Sequence, residues 1–147
     1  MNKSPQTKAQ QLIKSLEMQP HPEGGWYKET WRESSPNAER ASGTAIFYLL
    51  EAGQYSHWHK VDAAEIWHWY DGAPLTLEIS PDDETPASQH VLGPDILSGQ
   101  MPQIIVPKGH WQCAKSTGSY SLVGCTVSPG FEFSGFEMAP PHFCPGN

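Results

Sequence analysis

Apolar residues recur at helical spacing in the first segment of the chain, where Ala9, Leu12, Ile13 and Leu16 fall at i, i+3, i+4 and i+7 and draw one apolar stripe. Ser4 followed by Pro5 reads as an N-cap with proline at the first helical position. Pro20 stops the pattern from continuing. These signals predict one short amphipathic helix from about Pro5 to about Glu17.

Beyond it the runs become short and strand-like. Trp26 to Trp31 reads as a strand of mixed aromatic and charged residues, entered through the turn residues of "HPEGG". After a polar loop, Ser34 to Ser42, come "TAIFYLL", "EIWHWY", "LTLEI", "HVL", "QIIV", "SLVGCTV" and "FEFSGF". Glycine, proline and aspartate clusters separate them, among them Asp71-Gly72, Pro81-Asp82-Asp83, Pro107-Lys108-Gly109 and Pro129-Gly130. Several short strands at near-regular spacing behind one helix predict an all-β sandwich or barrel, and argue against βαβ units. No repeat or linker divides the chain, so a single domain over residues 1–147 is expected, with its barrel from about 26 to about 140.

Composition narrows the partners. The 147 residues carry a formal charge of −7, which disfavours nucleic acid and anionic membranes. No run of eighteen apolar residues occurs and the first twenty residues lack the apolar centre of a signal peptide, so neither a membrane span nor export is expected. Cys113, Cys125 and Cys144 are odd in number and follow no zinc-type spacing, which suits a reduced, cytoplasmic protein. Cys113, next to Gln112 on a strand, faces the other way from it and reads as a packed, inert thiol.

The chemistry concentrates in "GQYSHWHKVDAAEIWHWYDG", Gly53 to Gly72. On a regular strand His57 and His59 share a face. If the chain turns through "KVDAA" and returns, Glu65 enters the same space from the next strand. Two imidazoles and a carboxylate form a partial donor set for a divalent transition metal, including the facial triad of non-haem iron. The same residues equally suit a metal-free pocket in which they bind by hydrogen bonds and move protons. Trp67 and Trp69 share the face of Glu65, either as walls of a ligand cavity or as core. His21 and Glu23 of "HPEGG" show no catalytic spacing, and a turn that places the following strand is the expected role. Tyr27, Lys28 and Arg32 are expected to be solvated, with Arg32 the natural clamp for an anion if this strand borders the barrel mouth.

The segment resembles the first cupin motif, a glycine before His-x-His, then a glutamate and a glycine, here Gly53, His57, His59, Glu65 and Gly72. "GQMPQIIVPKGHWQCA" resembles the second motif, with Gly99, Pro107 and Gly109 in place. Two departures stand out: five residues separate His59 from Glu65, and Gln112 stands where the last metal-binding histidine of the pattern falls, with His110 two residues early. The closer similarity is to the DUF985 (cupin-5) family, carried by "HPEGGWYKETWR", "TAIFYLL", "SHWHKVDAAEIWHWYDGAPL", "VPKGHWQCA" and "LVGCTVSPGFEFSGFEMA" and covering nearly all of the chain after about Leu12. The resemblance implies a cupin double-stranded β-helix, or jelly-roll barrel, and a homodimer; it implies little about the reaction.

The leading expectation is a barrel that binds a small polar molecule, sugar- or nucleotide-like, on a floor of His57, His59, Glu65 and Gln112 with Trp67, Trp69 and His110 around it. As an enzyme it would be an epimerase or isomerase, with Glu65 harder to ionise than a free glutamate and His59 titrating near neutrality as the acid–base pair. Two alternatives stand beside it: a metal-dependent oxygenase or isomerase using His57, His59 and Glu65, and a ligand-binding module without catalysis.

Overall fold

In the computed structural model, which describes residues 5–37 and 39–147, the helix α1 is confined to Lys8–Ser15. Its start is set by Thr7; the expected cap, Ser4, lies outside the described residues. The Thr7 hydroxyl accepts from the Gln10 amide N–H at 3.1 Å, and the Gln10 side chain accepts from the Thr7 N–H at 3.0 Å. That reciprocal pair satisfies two of the donors every helix start leaves open, so the first turn forms here and not at Pro5. Glu17 takes a left-handed conformation (φ 55°) and ends the helix. Thr7→Ala should cost about 1 kcal/mol, read as a lower urea midpoint with an unchanged slope.

The strands are β1 (Gln19–Pro20), β2 (Trp26–Glu33), β3 (Gly43–Glu51), β4 (Tyr55–Val61), β5 (Ala64–Gly72), β6 (Leu75–Ser80), β7 (Ser88–Leu92), β8 (Gln103–Val106), β9 (Trp111–Ser116), β10 (Tyr120–Ser128) and β11 (Phe136–Met138). They form two antiparallel sheets, ordered β1-β2-β3-β10-β5-β8 and β11-β4-β9-β6-β7. Alternation sorts the side chains. Tyr48, Leu50, Trp67, Val123 and Cys125 of the first sheet meet Leu75, Leu77, Ile79 and Ala114 of the second in the main core. Leu49, between two inward residues, points outward and is covered by the apolar stripe of α1, with Ala9, Leu12, Ile13 and Leu16 around it.

The segment "FEFSGF" is not the strand its composition predicts. Phe133–Gly135 is a 3₁₀ turn, and pairing with β4 begins only at Phe136. Phe131, Phe133 and Phe136 pack edge-to-face, with ring centroids 5.0 to 6.2 Å apart, and this clustering takes precedence over alternation. No helix among the described residues is long and apolar enough to cross a membrane.

Candidate functional site

The His-x-His strand does not run straight. Ser56 pairs with Ala114 and His59 with Gln112, so three steps on β4 oppose two on β9, the mark of a β-bulge. The bulge brings Ser56 and His59 to the inner face and turns His57 away. His57 Nε2 lies 3.1 Å from the carbonyl oxygens of both Ala139 and Pro140, outside the barrel lumen. His57, His59 and Glu65 therefore do not converge.

His59 is met instead by Glu23. The carboxylate Oε2 lies 2.9 Å from His59 Nε2, and both side chains are almost wholly buried. Glu23 reaches this depth because "HPEGG" folds inward as a tight turn. Gly24 and Gly25 have φ of 109° and 75°, and a Cβ on Gly24 would fall 1.9 Å from the Tyr55 carbonyl oxygen. Tyr48 Oη donates to the Gly24 carbonyl and ties the turn to β3. The turn expected from the sequence is present, and it also carries chemistry that spacing did not reveal; the visible signal was an acid directly before a glycine pair.

On the opposite wall, Trp67 Nε1 donates to Gln112 Oε1 and Gln112 Nε2 donates to Glu65 Oε1, each at 2.8 Å. Gln112 thus fixes Glu65 and does not face the lumen as a ligand group. Trp67 is 1% exposed, packed edge-to-face on Tyr48, and is core. Trp69 caps the Ala73 carbonyl from the edge of the core, and His110 sits on the turn between β8 and β9; neither lines the cavity.

The cavity is small, about 50 Å³. His21, Glu23, His59 and Glu65 supply its titratable wall, Thr44, Ile46, Val61 and Val127 its aliphatic one, and Phe131, Phe133 and Phe136 an aromatic flank. Tyr27 and Glu29 stand on the β2 side. Among the described residues no lysine or arginine lines it. Arg32, expected to be solvated and an anion clamp only at a barrel mouth, is engaged by the Glu29 carboxylate at 2.7 and 3.0 Å and by the Phe131 carbonyl at 3.1 Å.

The electrostatics follow from burial set against pairing. Burial opposes charge on His59, but the Glu23 carboxylate, its hydrogen bond and the Glu65 charge outweigh it and raise His59 to about 9. His59 is therefore an imidazolium at neutral pH, not the group titrating near 7 that the sequence suggested. Burial would lift Glu23, and the imidazolium overrides it and holds it below the usual carboxylate range. Glu65 is pushed up to about 7, by burial first; His59 pulls it down and the Glu23 charge pushes it up. His21 is depressed by burial and stays neutral. Cys125, which also faces the cavity, is held far above the thiol range by burial and is inert.

This donor set does not fit a metal ion. His59 Nε2 is held by Glu23, Glu65 Oε1 by Gln112, His21 Nδ1 accepts from the Glu23 N–H at 3.1 Å, and His57 lies elsewhere. Among the described residues no three His, Cys, Asp or Glu side chains are disposed to hold one.

A family model described as Cupin superfamily (DUF985) matches residues 10–139. A crystal structure of a Shewanella oneidensis protein is 36% identical, covers 91% of this chain and 85% of its own, and superposes with a TM-score of 0.84. A hypothetical protein from Leishmania major is 30% identical over 90% of this chain and 88% of its own, with a TM-score of 0.83. Oxalate decarboxylase from Bacillus subtilis, 14% identical with a TM-score of 0.61, shares the fold over 81% of this chain and 29% of its own length. Among curated proteins none matches.

Proposed function

Because the chain belongs to the DUF985 family of the cupin superfamily, we propose that its β-barrel binds a small uncharged polar molecule, sugar-like in chemistry, and moves a carbon-bound proton on it, as an epimerase or isomerase does. One observation carries the reading: Glu65, which ionises near 7, faces a cavity walled by the buried His59–Glu23 ion pair. A carboxylate poised at working pH exchanges protons with carbon acids better than an ordinary one, whose basicity is too low. His59 is the charged partner. Its imidazolium keeps Glu65 from rising beyond the range where half of it is ionised.

Ligand charge follows from the wall. A nucleotide-like ligand would bring phosphate against Glu23, Glu29 and Glu65, with no lysine or arginine lining the cavity among the described residues and the His59 imidazolium already paired with Glu23. That favours the sugar-like half of the expectation. The aromatic flank suits the C–H faces of such a ligand. The reading includes a single domain acting as a homodimer in a reducing compartment such as the cytoplasm. Trp31, Tyr70 and Ile105 stand exposed on the outer face of the six-stranded sheet, and the three cysteines are free.

The test is ¹H NMR in D₂O of the full chain with unphosphorylated aldoses and ketoses and with their phosphate esters. Selective loss of carbon-bound proton signals from the uncharged sugars is expected. No loss from any of them, or faster loss from the phosphate esters, would refute the reading.

A further inference from the structure

We propose that His21 is a catalytic residue of this site, its Nε2–H donating a hydrogen bond to the carbonyl oxygen of an unphosphorylated α-hydroxyketone while Glu65 takes the proton from the adjacent carbon. The inference rests on the proton-transfer reading above and names its substrate class.

Three observations converge on His21. First, its tautomer is fixed. The backbone N–H of Glu23 points at Nδ1 from 3.1 Å, so Nδ1 must present its lone pair and the ring hydrogen sits on Nε2. Second, Nε2 has no hydrogen-bond partner among the described residues, although the side chain is only 5% exposed and lines the cavity. The N–H is open to the cavity, since among the described residues the one fully buried side-chain N or O atom left unpaired is Ser56 Oγ, and with no protein acceptor it is available to ligand. Third, the ring is clamped. Tyr27 meets it edge-on at 4.6 Å, Tyr48 at 5.7 Å, and Phe133 and Phe136 stand at 6.3 Å, so the N–H direction is held in advance of binding.

No other histidine can take this part. His59 has both ring nitrogens committed, Nδ1 to the His57 carbonyl at 2.7 Å and Nε2 to Glu23 at 2.9 Å. His57 faces away. The one histidine N–H left uncommitted in the cavity among the described residues therefore stands in the same cavity wall as the poised base Glu65. Burial keeps His21 neutral, so it donates without surrendering a full proton.

The step balances without a co-reactant. Glu65 removes a proton from the carbon beside the carbonyl, the C–H electron pair becomes a C=C bond, and the carbonyl π pair moves to oxygen, where His21 Nε2–H meets the charge. The proton returns from Glu65 to the same carbon and the carbonyl re-forms. In D₂O the returning proton is deuterium. The substrate class follows, since the donor needs a carbonyl oxygen next to the acidic C–H, and the wall excludes phosphate.

The experiment measures deuterium uptake into dihydroxyacetone and erythrulose by the full chain and by three His21 variants, with each variant's thermal midpoint recorded. His21→Leu removes both ring nitrogens. His21→Asn restores an acceptor near Nδ1 for the Glu23 N–H, and His21→Gln restores a donor near Nε2. The expected result is a loss of about a hundredfold in His21→Leu, little recovery in His21→Asn, and recovery of tenfold or more in His21→Gln. Wild-type exchange in His21→Leu, or rescue by Asn and not by Gln, would overturn the donor role and leave the Glu65 reading standing. Absence of exchange in the wild-type chain would overturn both.

Discussion

Glu65→Gln should lower deuterium uptake into uncharged α-hydroxyketones by about 10²–10⁴-fold, the usual contribution of a positioned general base. The loss would not be one of fold. A glutamine carbonyl at this position still accepts from Gln112 Nε2, so the chain from Trp67 through Gln112 stays satisfied. Stability should respond in the opposite sense. Glu65 ionises near 7 in the folded chain against an ordinary value of 4.5, so the folded state holds this proton more tightly than the unfolded one. Its contribution is fully present below pH 4.5 and is lost as pH rises through 7. The size is on the order of 3 kcal/mol across that window. In Glu65→Gln that decline disappears. The decline caused by His59 remains, because its raised value gives a contribution that is complete below 6.5 and lost as pH rises through about 9. Urea midpoints of the two chains from pH 4.5 to 9.5 separate the windows. A wild-type midpoint that climbs between pH 5 and 7 would contradict a buried, proton-holding Glu65. In activity the same two groups predict a bell, with a rising limb near 7 and a falling limb near 9.

Much of this architecture is written locally. Alternation along "TAIFYLL" and "SLVGCTV" specifies which side chains enter the core, and the turn residues between runs specify where each strand ends. Gln112 and Glu65 lie on the inner face because β9 and β5 are regular there, so period-two reasoning reaches the right face for both. The same reasoning fails four residues before Val61, because it assumes an unbroken pleat. Whether β4 bulges is decided by how Ser56 and His59 register against Ala114 and Gln112, which are more than fifty residues away, and no local pattern records that. "HPEGG" is the complementary case. Its glycines announce a turn, but the direction in which Glu23 points depends on Tyr48 holding Gly24 and on Tyr55 crowding it, both long-range facts. The helix start shows the same limit on a smaller scale: Ser4-Pro5 and Thr7–Gln10 are both acceptable signatures in the sequence, and the second closes a reciprocal pair of hydrogen bonds. What local patterns leave open is therefore concentrated at the site, where a bulge and an inserted turn replace one set of partners for His59 with another.

Glu23→Ala should be among the most damaging single substitutions in the cavity, at about 3–5 kcal/mol. The reason is the charge it leaves behind. His59 is 2% exposed and carries a proton because the Glu23 carboxylate stands 2.9 Å away. Without that carboxylate, burial, the largest influence on His59 and one that opposes charge, is no longer outweighed, and the imidazole must either stay charged and unpaired or lose its proton. Both routes cost stability at pH 7. For a chain of this size the loss corresponds to roughly 10 °C in thermal midpoint. Glu23→Gln separates charge from shape. The amide fills the same space and can accept from an Nε2–H, so it should lose less stability, yet it too removes the charge that holds the His59 proton. In both variants His59 should titrate below 7 instead of near 9, which its ring C–H resonance reports directly in an NMR pH series. With His59 neutral, the pull that lowers Glu65 vanishes together with the smaller Glu23 push that raises it, and burial, opposed by the hydrogen bonds from Gln112 and Cys125, then sets Glu65 higher. The rising limb of the pH–rate profile should accordingly move above 7 in Glu23→Gln while the limb near 9 disappears. A Glu23→Gln chain whose His59 still titrates near 9 would mean that the imidazolium is held by something other than this carboxylate, and the paired-charge account of the cavity would fall with it.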